Sequence, residues 1–207
     1  MNFDEYRMLF RVVTFVLILI VSFAFFTSVF TIPKTGERFF VLALLGSGKM
    51  AENYFPNNNS TVLLNEEVSW YVEAYNYVPT VQYVSVVVKL INSTISSPDS
   101  VNCVPSPASY EIMNFSVFLT YEKSMLIPFV WKVSAIAIHD DLVEINSINF
   151  NGVVVPSRIG AMNGTNFRLV FELWQFNTTS NQFEFAWDSG FGLRCAWVQM
   201  VFDVATE

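Results

Sequence analysis

The chain has 207 residues and a formal net charge of −7 at pH 7, and is 53% hydrophobic but only 14% charged. That length holds one good core or two small ones. The acidic balance excludes a basic face for nucleic acid or anionic lipid, and the single histidine, His139, excludes a His-rich zinc or blue-copper centre.

In chain order, residues 1–11 read as a short cytoplasmic tail and Val12–Ile32 as a single N-terminal transmembrane signal-anchor helix. Those 21 residues carry no charge, and at about 1.5 Å per residue they cover roughly the 30 Å of a bilayer core. Thr14, Ser22, Thr27, Ser28 and Thr31 can bond back to carbonyls of their own helix. Pro33 and Gly36 end it, within a linker over residues 33–38. Ser22, Ala24, Thr27 and Ser28 are small enough to let a partner helix approach closely. The rival reading is a cleaved signal peptide with Ser22-Phe23-Ala24 as the cleavage site. The apolar run that continues past Ala24 favours the anchor. Lys and Arg are split almost evenly across the segment, so charge does not decide its orientation.

Residues 39–207 read as one extracytoplasmic β-sandwich domain. The first apolar run, Phe39–Leu45, leads into Gly46-Ser47-Gly48-Lys49, which has the look of a phosphate-binding loop. That pattern needs a glycine where Ala43 stands and Ser or Thr where Met50 stands, so the segment is a turn and no nucleotide is expected. Next, Glu66–Ala74 alternates strictly: Val68, Trp70, Val72 and Ala74 point one way and Glu67, Ser69, Tyr71 and Glu73 the other. Val81–Ile91 alternates likewise, and Tyr77-Val78-Pro79-Thr80 suggests an antiparallel hairpin between the two. Further strands are expected at Tyr110–Thr120, Leu126–Ile138, Leu142–Phe150, Phe167–Phe176, Phe183–Trp187 and Leu193–Val204. Asn151-Gly152 is a tight-turn signal, and Asn177–Asn181 a polar tip between aromatic strands. Ser93–Ser109, with three prolines, is the longest irregular stretch. Eight or nine short strands point to an antiparallel immunoglobulin-like β-sandwich.

Asn-x-Ser/Thr occurs at Asn58, Asn59, Asn92, Asn114, Asn163 and Asn177, all after the helix, as on the surface loops of exported proteins. An Asn/Ser/Thr-rich chain also throws such triplets up by chance. Both cysteines, Cys103 and Cys195, lie in the same region. They read either as one disulfide pinning the irregular stretch to the last strand, or as two buried free thiols.

No catalytic, cofactor-binding or metal-binding residue emerges. His139-Asp140-Asp141 reads as a solvated turn. A nucleophilic triad has only His139 as base and no Gly-x-Ser-x-Gly elbow. Glu66 and Glu67 fall on opposite faces of a strand and cannot act on one bond. Trp70, Trp131, Trp174, Trp187 and Trp197 could stack on carbohydrate, although aromatic core is the default for a sandwich.

The run Leu45-Gly46-Ser47-Gly48-Lys49-Met50-Ala51-Glu52-Asn53-Tyr54-Phe55-Pro56, with Asn59-Ser60-Thr61 and the Val-rich stretch Glu66–Leu90, resembles the opening of an archaeal domain family of unknown function found on membrane proteins. Ile127-Pro128-Phe129 and Leu193–Val204 resemble its later part. The resemblance covers most of residues 39–204, with inserts around Ser93–Ser109 and Asp140–Thr165 where a partner surface could be added. It implies an archaeal, membrane-attached, immunoglobulin-like exterior domain with no assigned reaction. The expected function is a non-catalytic binding or scaffolding component of a cell-surface or membrane assembly, contacting membrane lipid and other membrane or surface proteins. The alternatives are an accessory subunit of a membrane redox or transport enzyme, and a carbohydrate-binding surface protein.

Overall fold

The computed structural model describes residues 3–31, 36–107 and 111–205. The chain divides into two compact units, Met1–Gly36 and Glu37–Glu207.

The first unit is the helix α1 (Phe3–Thr31). It corrects the transmembrane reading of Val12–Ile32: among the described residues, no helix is long and apolar enough to cross a membrane. The helix begins well before Val12 and takes in Asp4, Glu5, Arg7 and Arg11. Thr14 does bond back, its hydroxyl donating to the Phe10 carbonyl at 2.8 Å. Ser22 is exposed, while the side chains of Ala24, Thr27 and Ser28, and residues 32–35 of the helix end and linker, lie outside the described ones.

The second unit is all-β. Its first strands are β1 (Phe40–Leu45), β2 (Thr61–Val62), β3 (Val68–Asn76), β4 (Gln82–Ile91) and β5 (Glu111–Leu119). Then come β6 (Lys123–His139), β7 (Leu142–Phe150), β8 (Val153–Met162) and β9 (Phe167–Asn177). The last are β10 (Gln182–Glu184), β11 (Trp187–Asp188), β12 (Leu193–Arg194) and β13 (Ala196–Val204). One sheet has the order β1-β3-β6-β7-β8, the other β2-β13-β9-β4-β5 with β10 on β9. The spatial order is that of an immunoglobulin-like sandwich, except that β7, beside β6, follows it in the chain and β8 extends that edge.

The alternation foreseen in β3 is observed: Val68, Trp70, Val72, Ala74 and Asn76 are buried. β3 and β4 nevertheless do not form the expected hairpin, because they lie in different sheets. Asn76, fully buried, makes the crossing: its amide donates to Leu119 O (3.0 Å) and Thr80 O (2.9 Å) and accepts from Val78 N–H (2.7 Å). The two inner faces then meet across a core of large aromatics, where Phe129 and Phe171 pack edge to face at 5.1 Å and Trp131 lies 4.8 Å from Phe202. The region taken as an insert, Asp140–Thr165, is mostly the β7–β8 hairpin. Its tip, Asn151-Gly152, has the two positive φ values (47° and 89°) of a tight primed turn. Pro128 sits in β6 where only β3 is paired with it, since β7 joins from Trp131 onward, so its missing N–H costs no bond.

Gly46 opens a tight turn, its N–H bonded to Met50 O at 2.8 Å. A Cβ there would stand 1.9 Å from the Glu52 carbonyl, and Lys49 rests its ammonium over the Tyr71 ring at 5.2 Å. That is a packed turn rather than an anion cradle.

Residues 93–107 of the irregular stretch form a strap lying on the outer face of the six-stranded sheet. Arg168 donates to Ile95 O at 2.9 Å and to Ser97 Oγ at 2.8 Å. Trp197 donates to Ser100 Oγ at 2.8 Å. Beneath the strap, Lys89 and Glu172 form an ion pair at 2.9 Å, their side chains 9% and 0% exposed. Ser106 closes it, accepting from Lys89 at its carbonyl (2.8 Å) and donating its N–H to Glu172 (2.7 Å).

Candidate functional site

At one end of the six-stranded sheet a cleft of about 970 Å³ opens between the start of β4, the end of β9 and the segment from β10 to β12. Pairing register assembles its aromatic wall, Tyr83, Phe118 and Phe176, with Phe183 packed on these rings from outside the cleft. Tyr83 lies opposite Phe118, and Phe176 opposite Phe183. The Tyr83 ring stacks on Phe118 at 4.5 Å and touches Phe183 and Phe176 at 5.2 and 5.9 Å. Phe118 is 69% exposed, a large apolar face offered to solvent.

The polar wall consists of planar amides. Gln175 donates to Gln82 Oε1 at 2.6 Å, and Gln82 donates to Thr80 Oγ1 at 2.6 Å. Asn177 donates to Glu184 Oε2 at 2.8 Å, and Ser180 to the other carboxylate oxygen at 2.6 Å. These bonds from Asn177 and Ser180 hold the Glu184 carboxyl below the usual carboxylate range. A group so held stays ionised and is poorly suited to general acid catalysis, which needs the opposite shift. Asp188 accepts from Gly190 N–H at 2.8 Å, in the turn leading to β12. Gln82 and Gln175 offer both donor and acceptor character, whereas the Asn177 oxygen already accepts from the N–H groups of Thr179 (2.8 Å) and Ser180 (3.4 Å); the ring faces are electron-rich. The cleft therefore presents amphiphilic hydrogen bonding beside a stacking surface.

Of the tryptophans singled out for stacking, Trp187 borders the cleft but is largely buried, and the other four are placed elsewhere. Trp70 and Trp131 are core residues at 1% exposure, and Trp187 is buried at 5% against Phe40. Trp174 belongs to the strapped face, donating to Glu172 at 3.1 Å, and Trp197 clamps the strap. Phenylalanine and tyrosine supply the cleft instead. The one sequence signal near it is the polar tip Asn177–Asn181 between aromatic strands.

The glycosylation triplets differ in what their amides do. Asn92 donates to Gly160 O at 2.7 Å and accepts from Thr94, and Asn177 is held by Glu184. Asn114, on edge strand β5, donates to Glu111 at 2.6 Å. Asn58, Asn59 and Asn163 are exposed in turns. Cys103 and Cys195 are free thiols that the fold brings to one carbonyl, Ser100 O, at 3.8 and 4.0 Å. His139 is exposed at the β6–β7 turn, as a solvated residue. Among the described residues, no group of three or more His, Cys, Asp or Glu is placed to hold a metal.

No protein family and no curated protein matches the chain, so the archaeal family suggested by Leu45–Pro56 gains no support. Among solved structures, the CARDB domain of the PF1109 protein from Pyrococcus furiosus, in complex with di-metal ions, is 10% identical. The match covers 83% of this chain and 97% of that one, with a TM-score of 0.38. Spo0M, a sporulation control protein from Bacillus subtilis, is 11% identical over 83% of this chain, with a TM-score of 0.34. This chain spans about half of its length, 51%. Likenesses of this extent carry nothing about ligand or reaction.

Proposed function

We propose that residues 37–205 are a non-catalytic binding module whose cleft takes a neutral saccharide. The carrying observation is that one cleft is lined by Phe118 and Tyr83 from one face of the sheet and by Gln82, Gln175 and Asn177 from the other. Hydroxyl groups need partners that both give and accept, and the C–H face of a sugar ring complements an aromatic face. The occupied carboxylate of Glu184 supports binding without bond cleavage. The Asn-x-Ser/Thr triplets in exposed turns support an exported location.

The test is a glycan array followed by calorimetry with the best neutral oligosaccharide. Phe118→Ala and Gln175→Ala should each weaken binding about tenfold or more, roughly 1.4 kcal/mol. An absence of saccharide binding at millimolar concentration, or binding unaffected by both substitutions, overturns the reading. A protein partner is the second reading. It is favoured by Phe191 and Leu193, 71% and 63% exposed beside the same cleft. Phe191→Ser, outside the cleft lining, would then abolish capture while leaving saccharide binding intact.

A further inference from the structure

The strap is fixed to the sheet by side chains whose contacts leave one chemistry unused. Its tip is a tight turn: Asp99 accepts from the N–H groups of Val101 (2.7 Å) and Asn102 (3.1 Å), and Asp99 bridges to Val104. This turn forces Cys103 into the left-handed region at φ 49°, a conformation that non-glycine residues seldom adopt, and leaves the residue 8% exposed. Cys195, just before β13, aims its thiol at the same turn, 4.0 Å from the carbonyl of Asp99 and 4.0 Å from that of Ser100. Cys103 lies 3.8 Å from the Ser100 carbonyl as well. Two thiols from distant parts of the chain thus share one acceptor.

We propose that Cys103 and Cys195 are a redox modification site, joined by a small disulfide oxidant into an intramolecular disulfide that staples the strap to β13. One thiol, as thiolate, attacks the oxidant R–S–S–R, forming a mixed disulfide and releasing RS⁻. The second protein thiolate attacks the protein sulfur of that bond and expels the second RS⁻. The two thiol protons pass to the released thiolates, so that two protein S–H bonds become one S–S bond and the oxidant leaves as two R–SH. Burial first, then the neighbouring Cys103, pushes the Cys195 thiol up to about 12. Its thiolate is scarce at neutral pH, and closure should accelerate about tenfold per pH unit between pH 7 and 9. This inference does not depend on what the cleft binds.

The experiment incubates the intact folded chain with oxidised glutathione at pH 8.5, quenches in acid, and alkylates with N-ethylmaleimide in urea. The expected result is a mass two hydrogens lower, no alkylation, and a Cys103–Cys195 linked peptide after digestion. The melting midpoint should rise on the order of 5–10 °C and fall back with dithiothreitol. Cys103→Ser and Cys195→Ser should each lose the shift, and one glutathione should remain on the other cysteine. Two alkylated thiols after oxidation, two glutathione adducts on one chain, or disulfide-linked dimers would each overturn the assignment.

Discussion

The two faces of the six-stranded sheet both carry buried side chains but are held by different forces. On the inner face Val84, Val86, Val88, Leu90, Leu169, Phe171 and Leu173 meet the facing sheet and are fully buried. On the outer face of the same strands, Lys89 and Glu172 are buried almost as deeply, under a strap rather than a sheet. The inner face is stabilised by loss of apolar surface from water and by close packing. The outer face requires that each buried polar group find its partner, because an unmatched one costs more than a matched one gains. Equal burial therefore says nothing about which force acts, and the two faces should answer differently to substitution.

Phe171→Ala, on the inner face, should cost about 4 kcal/mol through lost burial and the cavity left behind, measured by urea denaturation. Glu172→Gln, the next residue and the opposite face, should cost about 3 kcal/mol, because Lys89 is left buried without its counter-charge. The double variant Lys89→Met with Glu172→Leu should recover most of that loss, although Ser106 N–H loses its acceptor. If the double variant were as unstable as the single one, the outer face would not owe its stability to charge matching. Arg168→Met should cost about 2 kcal/mol by freeing the strap at Ile95 and Ser97. It should also raise amide exchange there while leaving the inner core protected.

The smallest effect is with acid. Asp99 in the strap tip, through Asn102 and Val101, and Glu184 at the cleft, through Asn177 and Ser180, both have folded pKa values below their ordinary ones. Their contribution is present above the ordinary carboxylate range and is lost as pH falls through the folded values. Below about pH 4, tryptophan fluorescence from Trp174 and Trp197 should change before far-ultraviolet dichroism does. Coincident transitions would mean that strap and core melt as one unit.

Much of the fold is legible in the sequence, because alternation with period two is a local property of each strand. The inward set of β3, the hairpin tip at Asn151-Gly152 and the rejection of a phosphate loop at Gly46–Lys49 all follow from neighbouring residues. The membrane reading of Val12–Ile32 rested on a count of uncharged residues, and that count did not foresee a helix starting at Phe3 and taking in Asp4, Glu5, Arg7 and Arg11. The β3–β4 hairpin failed because two amphipathic strands on a short turn can either pair edge to edge or cross between sheets. The choice rested on Asn76 bonding to Leu119 O, a partner 43 positions away. The candidate cleft was the least legible part. Tyr83, Phe118, Phe176 and Phe183 meet only through the registers of β4 with β5 and β9 with β10.

The sequence by itself determined which segments extend and which of their faces are apolar, since those depend on steric preference and on side chains two positions apart. The tertiary structure alone decided which strands became neighbours, that Lys89 and Glu172 would be buried together, and that Cys103 and Cys195 would share the Ser100 carbonyl. Those outcomes depend on long-range pairing, whose free energy is set by the whole assembled sandwich and not by any one stretch of chain.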